Sequence, residues 1–215
     1  MKKSKVMLFG AMALTAGLAL AACGSSQSSN ADKTYSYIFV NNPDTLDYIT
    51  STRDSTSSIT TNLIDGLLEN DQYGNLIPSM AESWTVSKDG LTYTYKIRQG
   101  AKWYTSEGEE YADVTAHDFV TGLKYAADKK AENLYLVQDS IKGLADYVEG
   151  KSSDFGTVGV KAVDDYTLQY TLNQPETYWN SKTTASILNP VNEAFLKSKG
   201  DDFGSVTPSS ILSNG

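Results

Sequence analysis

The sequence predicts a mixed α/β (α+β) fold, on three observations. Residues 91–98 alternate strictly, with Leu91, Tyr93, Tyr95 and Ile97 on one side and Thr92, Thr94, Lys96 and Arg98 on the other. A period of two is the mark of a half-buried strand. Residues 55–68 place Ile59, Leu63 and Leu67 four apart, with Ile64 and Leu68 beside them, the apolar stripe of a helix. Turn chemistry then orders the segments as strand, helix, hairpin, helix, helix, hairpin, helix, with no strong internal repeat.

Taken in order, residues 35–40 (YSYIFV) are aromatic and β-branched and read as a strand, closed by Asn41-Asn42-Pro43-Asp44. The helix over 55–68 follows, then a turn at 71–75 (DQYGN). Trp84-Thr85-Val86 reads as a short strand that turns at Ser87-Lys88-Asp89-Gly90 and pairs with 91–98 as a hairpin. Thr115 opens a helix as its N-cap, with Asp118 where a capping-box acid sits and Phe119, Val120, Leu123, Ala126 and Ala127 as its buried face. A further helix is expected over 139–148. Residues 158–162 and 167–172 form a second hairpin around Asp164-Asp165, and 192–199 form a short helix.

The first residues belong to none of this. Lys2, Lys3 and Lys5 precede an apolar run over 6–20 and then Leu20-Ala21-Ala22-Cys23, the layout of a secretory signal peptide. At about 15 residues the run is short of a bilayer span. Cys23 is the only cysteine, and a cysteine straight after Leu-Ala-Ala resembles the lipobox of bacterial lipoproteins, in which the thiol takes a diacylglyceryl group. An ordinary signal peptide with a cysteine near its cut site is the alternative. Residues 24–32 (GSSQSSNAD) read as a flexible tether. The division expected is therefore 1–22 signal peptide and 23–33 lipidated cysteine and linker, ahead of a folded body. The net charge is −8, and the three leader lysines leave −11 from Cys23 onward. Such a body repels nucleic acid and anionic headgroups, so the membrane link would be the lipid. One cysteine excludes a disulfide framework.

Catalytic chemistry finds little support. His117 is the only histidine and sits in the first turn of a capped helix; it reads as structural or surface. No Gly-x-Ser-x-Gly elbow and no phosphate-cradling loop occur. One histidine and one leader thiol do not make a zinc site, and no metal or cofactor is expected. Glu107-Gly108-Glu109-Glu110 and Asp201-Asp202 lack calcium-loop spacing and read as solvated turns. Fourteen tyrosines and three tryptophans suit ligand grooves, and equally the inner faces of sheets.

Residues 64–124 carry an ordered series of motifs. These are Asp65-Gly66-Leu67-Leu68, Pro78 through Ala81-Glu82-Ser83-Trp84, Asp89-Gly90-Leu91-Thr92-Tyr93-Thr94-Tyr95-Lys96-Ile97-Arg98, Ala101-Lys102-Trp103 and Val114-Thr115-Ala116-His117-Asp118-Phe119-Val120. The series continues through Val160-Lys161-Ala162-Val163-Asp164-Asp165 and Thr171-Leu172-Asn173-Gln174-Pro175 to Ser213-Asn214-Gly215. It resembles the oligopeptide-binding lipoproteins of ABC importers, in the streptococcal style. The resemblance implies the N-terminal portion of a two-lobed periplasmic-binding-protein-like fold (type II, with the extra inserted domain), the second lobe being absent. Residues 34–55 would hold the first strand of lobe I, 56–175 the inserted α+β subdomain and 176–215 the start of the return.

It also implies a binder and not an enzyme: a lipid-anchored monomer on the extracytoplasmic face of the cell membrane, handing oligopeptides to ABC permease subunits. Peptides would be held by strand addition. The family's first lobe contributes from the segment between its first strand and first helix, here residues 52–55, so Arg53, Asp54 and Ser55 are the contact candidates. Tyr135 lies near a tyrosine that lines the ligand site in relatives, with core packing as its alternative. A truncated, membrane-tethered surface protein with little or no peptide binding is the second reading. Trp84, Trp103 and the Tyr93/Tyr95 face are expected to hold the inserted domain together.

Overall fold

In the structure, a computed structural model, Tyr93, Tyr95 and Ile97 are buried and Lys96 is exposed, so the alternation over 91–98 is a strand with one dry face. The chain divides into two units, Met1–Phe39 and Val40–Gly215. The structure describes Ile38 and residues 41–215. Cys23, the leader, the linker and all but Ile38 of the expected strand 35–40 lie outside the described residues.

In chain order the elements are α1 (Asp54–Thr60), β1 (Leu68–Asn70), β2 (Leu76–Pro78), β3 (Ala81–Val86), β4 (Thr92–Ile97), β5 (Lys102–Tyr104) and β6 (Glu110–Asp113). They continue as α2 (Ala116–Lys129), α3 (Leu144–Val148), β7 (Val160–Asp164), β8 (Thr167–Thr171), α4 (Trp179–Lys182) and α5 (Glu193–Lys199). The two expected hairpins form and join edge to edge as one antiparallel sheet of order β3-β4-β8-β7. Its register sets Trp84 opposite Tyr95, Tyr95 opposite Leu168 and Leu168 opposite Ala162. Side chains in register share a face, so this row and its neighbour Tyr93-Tyr170-Val160 make the dry side. Trp179 of α4 lies on that side, its ring centroid 5.3 Å from Tyr170 and 6.2 Å from Tyr93. Such ring pairs add about 0.5–1.5 kcal/mol beyond area burial. The other face is wet: Gln169 Nε2 donates to Thr94 Oγ1 at 3.2 Å and Lys96 Nζ to Thr167 Oγ1 at 2.8 Å.

Helix α2 begins as expected. The Thr115 N–H donates to Asp118 Oδ2 at 2.8 Å, and Trp103 Nε1 donates to the same oxygen at 3.1 Å. Burial pushes the Asp118 carboxyl up to about 6, against the pull of these donors and of the His117 charge. Phe119, Leu123, Ala126 and Ala127 are buried, and the helix closes with Lys130 in the left-handed region. Gly122 lies so near the Asn189 carbonyl that a Cβ there would collide with it. That approach lets Val191 N donate to Asp118 O at 2.9 Å.

Three expectations need correction. The helix over 55–68 ends at Thr60: Leu68 opens β1, and Ser79 N and Ala81 N donate to Leu67 O. Past Thr60 the chain turns (Leu63 N donates to Thr60 O at 3.0 Å), and at Gly66 a Cβ would stand 2.7 Å from Asn189 Oδ1. The helix over 139–148 shrinks to α3, because Gly143 takes a φ of 72° and Ile141 bridges to Leu172. The strand at 84–86 begins earlier, at Ala81. The hairpins β1–β2 and β5–β6 were not expected. The acid cluster 107–110 is the exposed turn and first residue of the second of these.

Residues 63–65 meet 214–215. Asp65 N donates to Asn214 Oδ1 at 2.8 Å, Asn214 Nδ2 to Asp65 O at 3.2 Å, and Asn214 N to Leu63 O at 2.9 Å.

Candidate functional site

The segment leading into α1 is held by a buried carboxylate. Asp47 Oδ1 accepts from the N–H groups of Ile49 (3.0 Å) and Thr50 (3.1 Å); its Oδ2 accepts from Thr50 Oγ1 (2.7 Å) and Tyr125 OH (2.8 Å). Leu46 N and Thr45 Oγ1 donate to Gly204 O at 2.6 and 2.8 Å, and Gly204 sits too close to Asp47 for any side chain. Downstream, Thr56 Oγ1 donates to Thr45 O at 2.8 Å and Ser51 Oγ to Thr56 Oγ1 at 3.1 Å. A loop satisfied this fully can present its outer residues in one geometry.

Those outer residues are the ones the sequence singled out. Arg53 is exposed, extended (φ −85°, ψ 135°), and its carbonyl accepts from the amides of Thr56 and Ser57. Its Nε stands 3.0 Å from Asp44 Oδ2, both side chains being solvated. An exposed pair of this kind is worth about 0–1 kcal/mol, so Arg53 can exchange Asp44 for another carboxylate at little cost. Asp54 opens α1 and is exposed; Ser55 is half-buried. Tyr135 is 74 % exposed, which overturns core packing for it. It lies in the 3-10 turn Glu132–Leu136, and Thr52 Oγ1 donates to Glu132 Oε2 at 3.1 Å. The structure thus brings the 52–55 loop and the turn bearing Tyr135 together across 80 residues. In that turn the buried Asn133 Oδ1 has no hydrogen-bond partner.

Sequence reasoning missed Glu132, Asn133 and the Asp47–Tyr125 tie. Nothing local signals them, because each depends on a long-range contact. His117 is exposed and paired with Asp165 at 3.3 Å. No acidic, histidine or cysteine cluster among the described residues could hold a metal. No helix among them is long and apolar enough to cross a membrane. Around the Thr52–Glu132 contact the exposed side chains are Arg53, Asp54, Glu132 and Tyr135.

The fold is that of a solute-binding protein. The profile of the bacterial extracellular solute-binding proteins, family 5 Middle, matches residues 75–215, and the chain belongs to that family. It is 66% identical over 213 residues to the oligopeptide-binding protein AliB of Streptococcus pneumoniae, covering 99% of this chain and 32% of that protein. To the oligopeptide-binding protein SarA of Streptococcus gordonii it is 63% identical over 223 residues, covering 100% of this chain and 34% of that one. Among solved structures, that of Listeria monocytogenes OppA bound to peptide superposes with a TM-score of 0.72 at 33% identity, over 80% of this chain and 33% of the other. The chain spans about a third of the length of the relatives it matches.

Proposed function

We propose that this chain carries the peptide-facing loop of an extracytoplasmic substrate-binding protein that captures oligopeptides for an ABC-type importer. The observation that supports this best is the Thr52–Glu132 bond, which ties the segment of Arg53, Asp54 and Ser55 to the turn that carries Tyr135. Arg53 meets ligand carboxyl groups, Asp54 meets amines, and Tyr135 gives a ring with a polar tip that tolerates varied side chains. The chemistry is binding without turnover. Residues 34–55 and 176–215 belong to the lobe and 56–175 to the subdomain inserted in it. A lipid on Cys23 holds the protein, a monomer, at the outer face of the membrane beside its permease.

Calorimetric titration of the full chain with a defined oligopeptide mixture tests the reading. Binding should weaken roughly tenfold in Arg53→Ala with Tyr135→Ala, about 1.4 kcal/mol, while the unfolding midpoint stays put. Binding that ignores both substitutions removes these residues from the site. Intact mass of membrane-extracted protein tests the anchor: the lipid increment should vanish in Cys23→Ala.

A further inference from the structure

At the edge of the sheet, β7 has a strand neighbour, β8, on one side only. An open groove of about 570 Å³ runs beside it, lined by His117, Lys142, Thr157, Lys161, Gln169 and Thr171. Val160 and Ala162 of β7 line it too. An uncovered edge is a template for one more strand.

The charge of the groove is out of keeping with the chain. The protein has 26 acidic residues against 18 lysines and arginines, so a lysine there usually finds an acid. Among the described lysines and arginines, the side chains of Lys88, Lys130, Lys142 and Lys161 make no ion pair, hydrogen bond or ring contact. Two of these four line this one groove. The nearby Asp165 is engaged by His117, and Asp154 by the Gly156 amide at 2.8 Å. The opposite edge strand, β3, carries the exposed Glu82 instead.

We propose that this groove is a second docking site, separate from the Arg53 loop, which receives an extended acidic segment of a partner protein as an added strand on β7. Alternate side chains of such a strand point the same way. Carboxylates at every second position would meet Lys142 and Lys161 while the partner's backbone pairs with the free edge.

The probe is a short, end-capped, fluorescein-labelled peptide of alternating glutamate and threonine, titrated against the full chain at low ionic strength by fluorescence anisotropy. Three controls accompany it: the same peptide with lysine for glutamate, a copy N-methylated at alternate residues, and free fluorescein. The acidic peptide should bind. Lys142→Glu with Lys161→Glu, both exposed and expected to leave the unfolding midpoint unchanged, should weaken it at least tenfold. The N-methylated copy, which cannot pair along a strand, should bind no better than the lysine peptide. Arg53→Ala with Tyr135→Ala should leave the affinity unchanged. The proposal is overturned by absent binding, by equal affinity for the acidic and basic peptides, by binding that survives the lysine reversals, or by full affinity of the N-methylated copy. Loss of binding in the Arg53 and Tyr135 variant overturns it as well, since the peptide would then occupy the importer site.

Discussion

The Tyr125 hydroxyl donates to the Asp47 carboxylate at 2.8 Å, across 78 residues of chain. Through this bond α2 fixes the loop that carries the candidate ligand contacts. Tyr125→Phe keeps the ring against Phe203, 5.4 Å away between centroids, and removes only the donor. The expected cost is about 1–2 kcal/mol, read as a lower urea midpoint, with weaker peptide binding as the loop loosens. An unchanged midpoint would mean that the other three donors suffice for Asp47.

Asp118 sets a pH dependence whose direction is fixed. Burial raises its carboxyl to about 6 in the folded protein, against about 3.9 when unfolded. The folded state therefore prefers the protonated acid, and stability from this group is lost as pH rises from about 4 through 6. The difference of about two units corresponds to roughly 2–3 kcal/mol. Asp118→Asn keeps an acceptor for Thr115 and Trp103 but cannot titrate, so it should gain on the wild type over that interval. Urea midpoints of both proteins across the series decide it; a constant gap would refute the assignment.

Gly122 inverts the usual rule for helix interiors. Glycine to alanine there ordinarily stabilises by about 1 kcal/mol, but the added methyl would strike the Asn189 carbonyl. Gly122→Ala should lower the thermal midpoint, with a net loss of roughly 1–3 kcal/mol from overpacking. A higher midpoint would show that the segment 189–191 yields easily.

Lys182 and Glu176 form a buried ion pair at 2.9 Å, with the Glu176 side chain 4% exposed. Lys182 Nζ also donates to Ser140 Oγ at 2.6 Å and lies 5.1 Å from the Tyr178 ring centroid. Lys182→Met leaves a carboxylate without its cation, at an expected cost of about 3–5 kcal/mol. Adding Glu176→Gln should recover most of the loss. Two losses that simply add would argue against coupling.

Much of this fold was legible because its signals are local. Strict alternation at 91–98, the turn at 87–90 and the Thr115/Asp118 cap each lie within a few residues, and each formed. The failures are tertiary. Nothing local announces that Leu67 and Leu68 will pair with residues 78–81 instead of extending a helical pattern, and Gly143 adopts its φ of 72° against the Thr157 carbonyl, 2.8 Å from where its Cβ would stand. The hairpin β5–β6 had a local signal, the turn at 107–110, where Gly108 N donates to Thr105 O at 2.9 Å, but the flanking strands are only three and four residues long and carry no clear alternation. In the site, Arg53, Asp54 and Ser55 were candidates through the family resemblance alone, and Glu132 entered only through a contact from Thr52 eighty residues away.

The meeting of Asp65 with Asn214 has a consequence for the order of events during folding. Joining positions 149 apart in a flexible chain carries a closure entropy on the order of 4 kcal/mol, far more than two hydrogen bonds return. The hairpins and α2 must therefore assemble first and carry the two ends into reach, so this junction is made late and lost early. Weakening it with Asn214→Ala should quicken unfolding and leave the refolding rate almost untouched, a neck that closes only after the body behind it has formed.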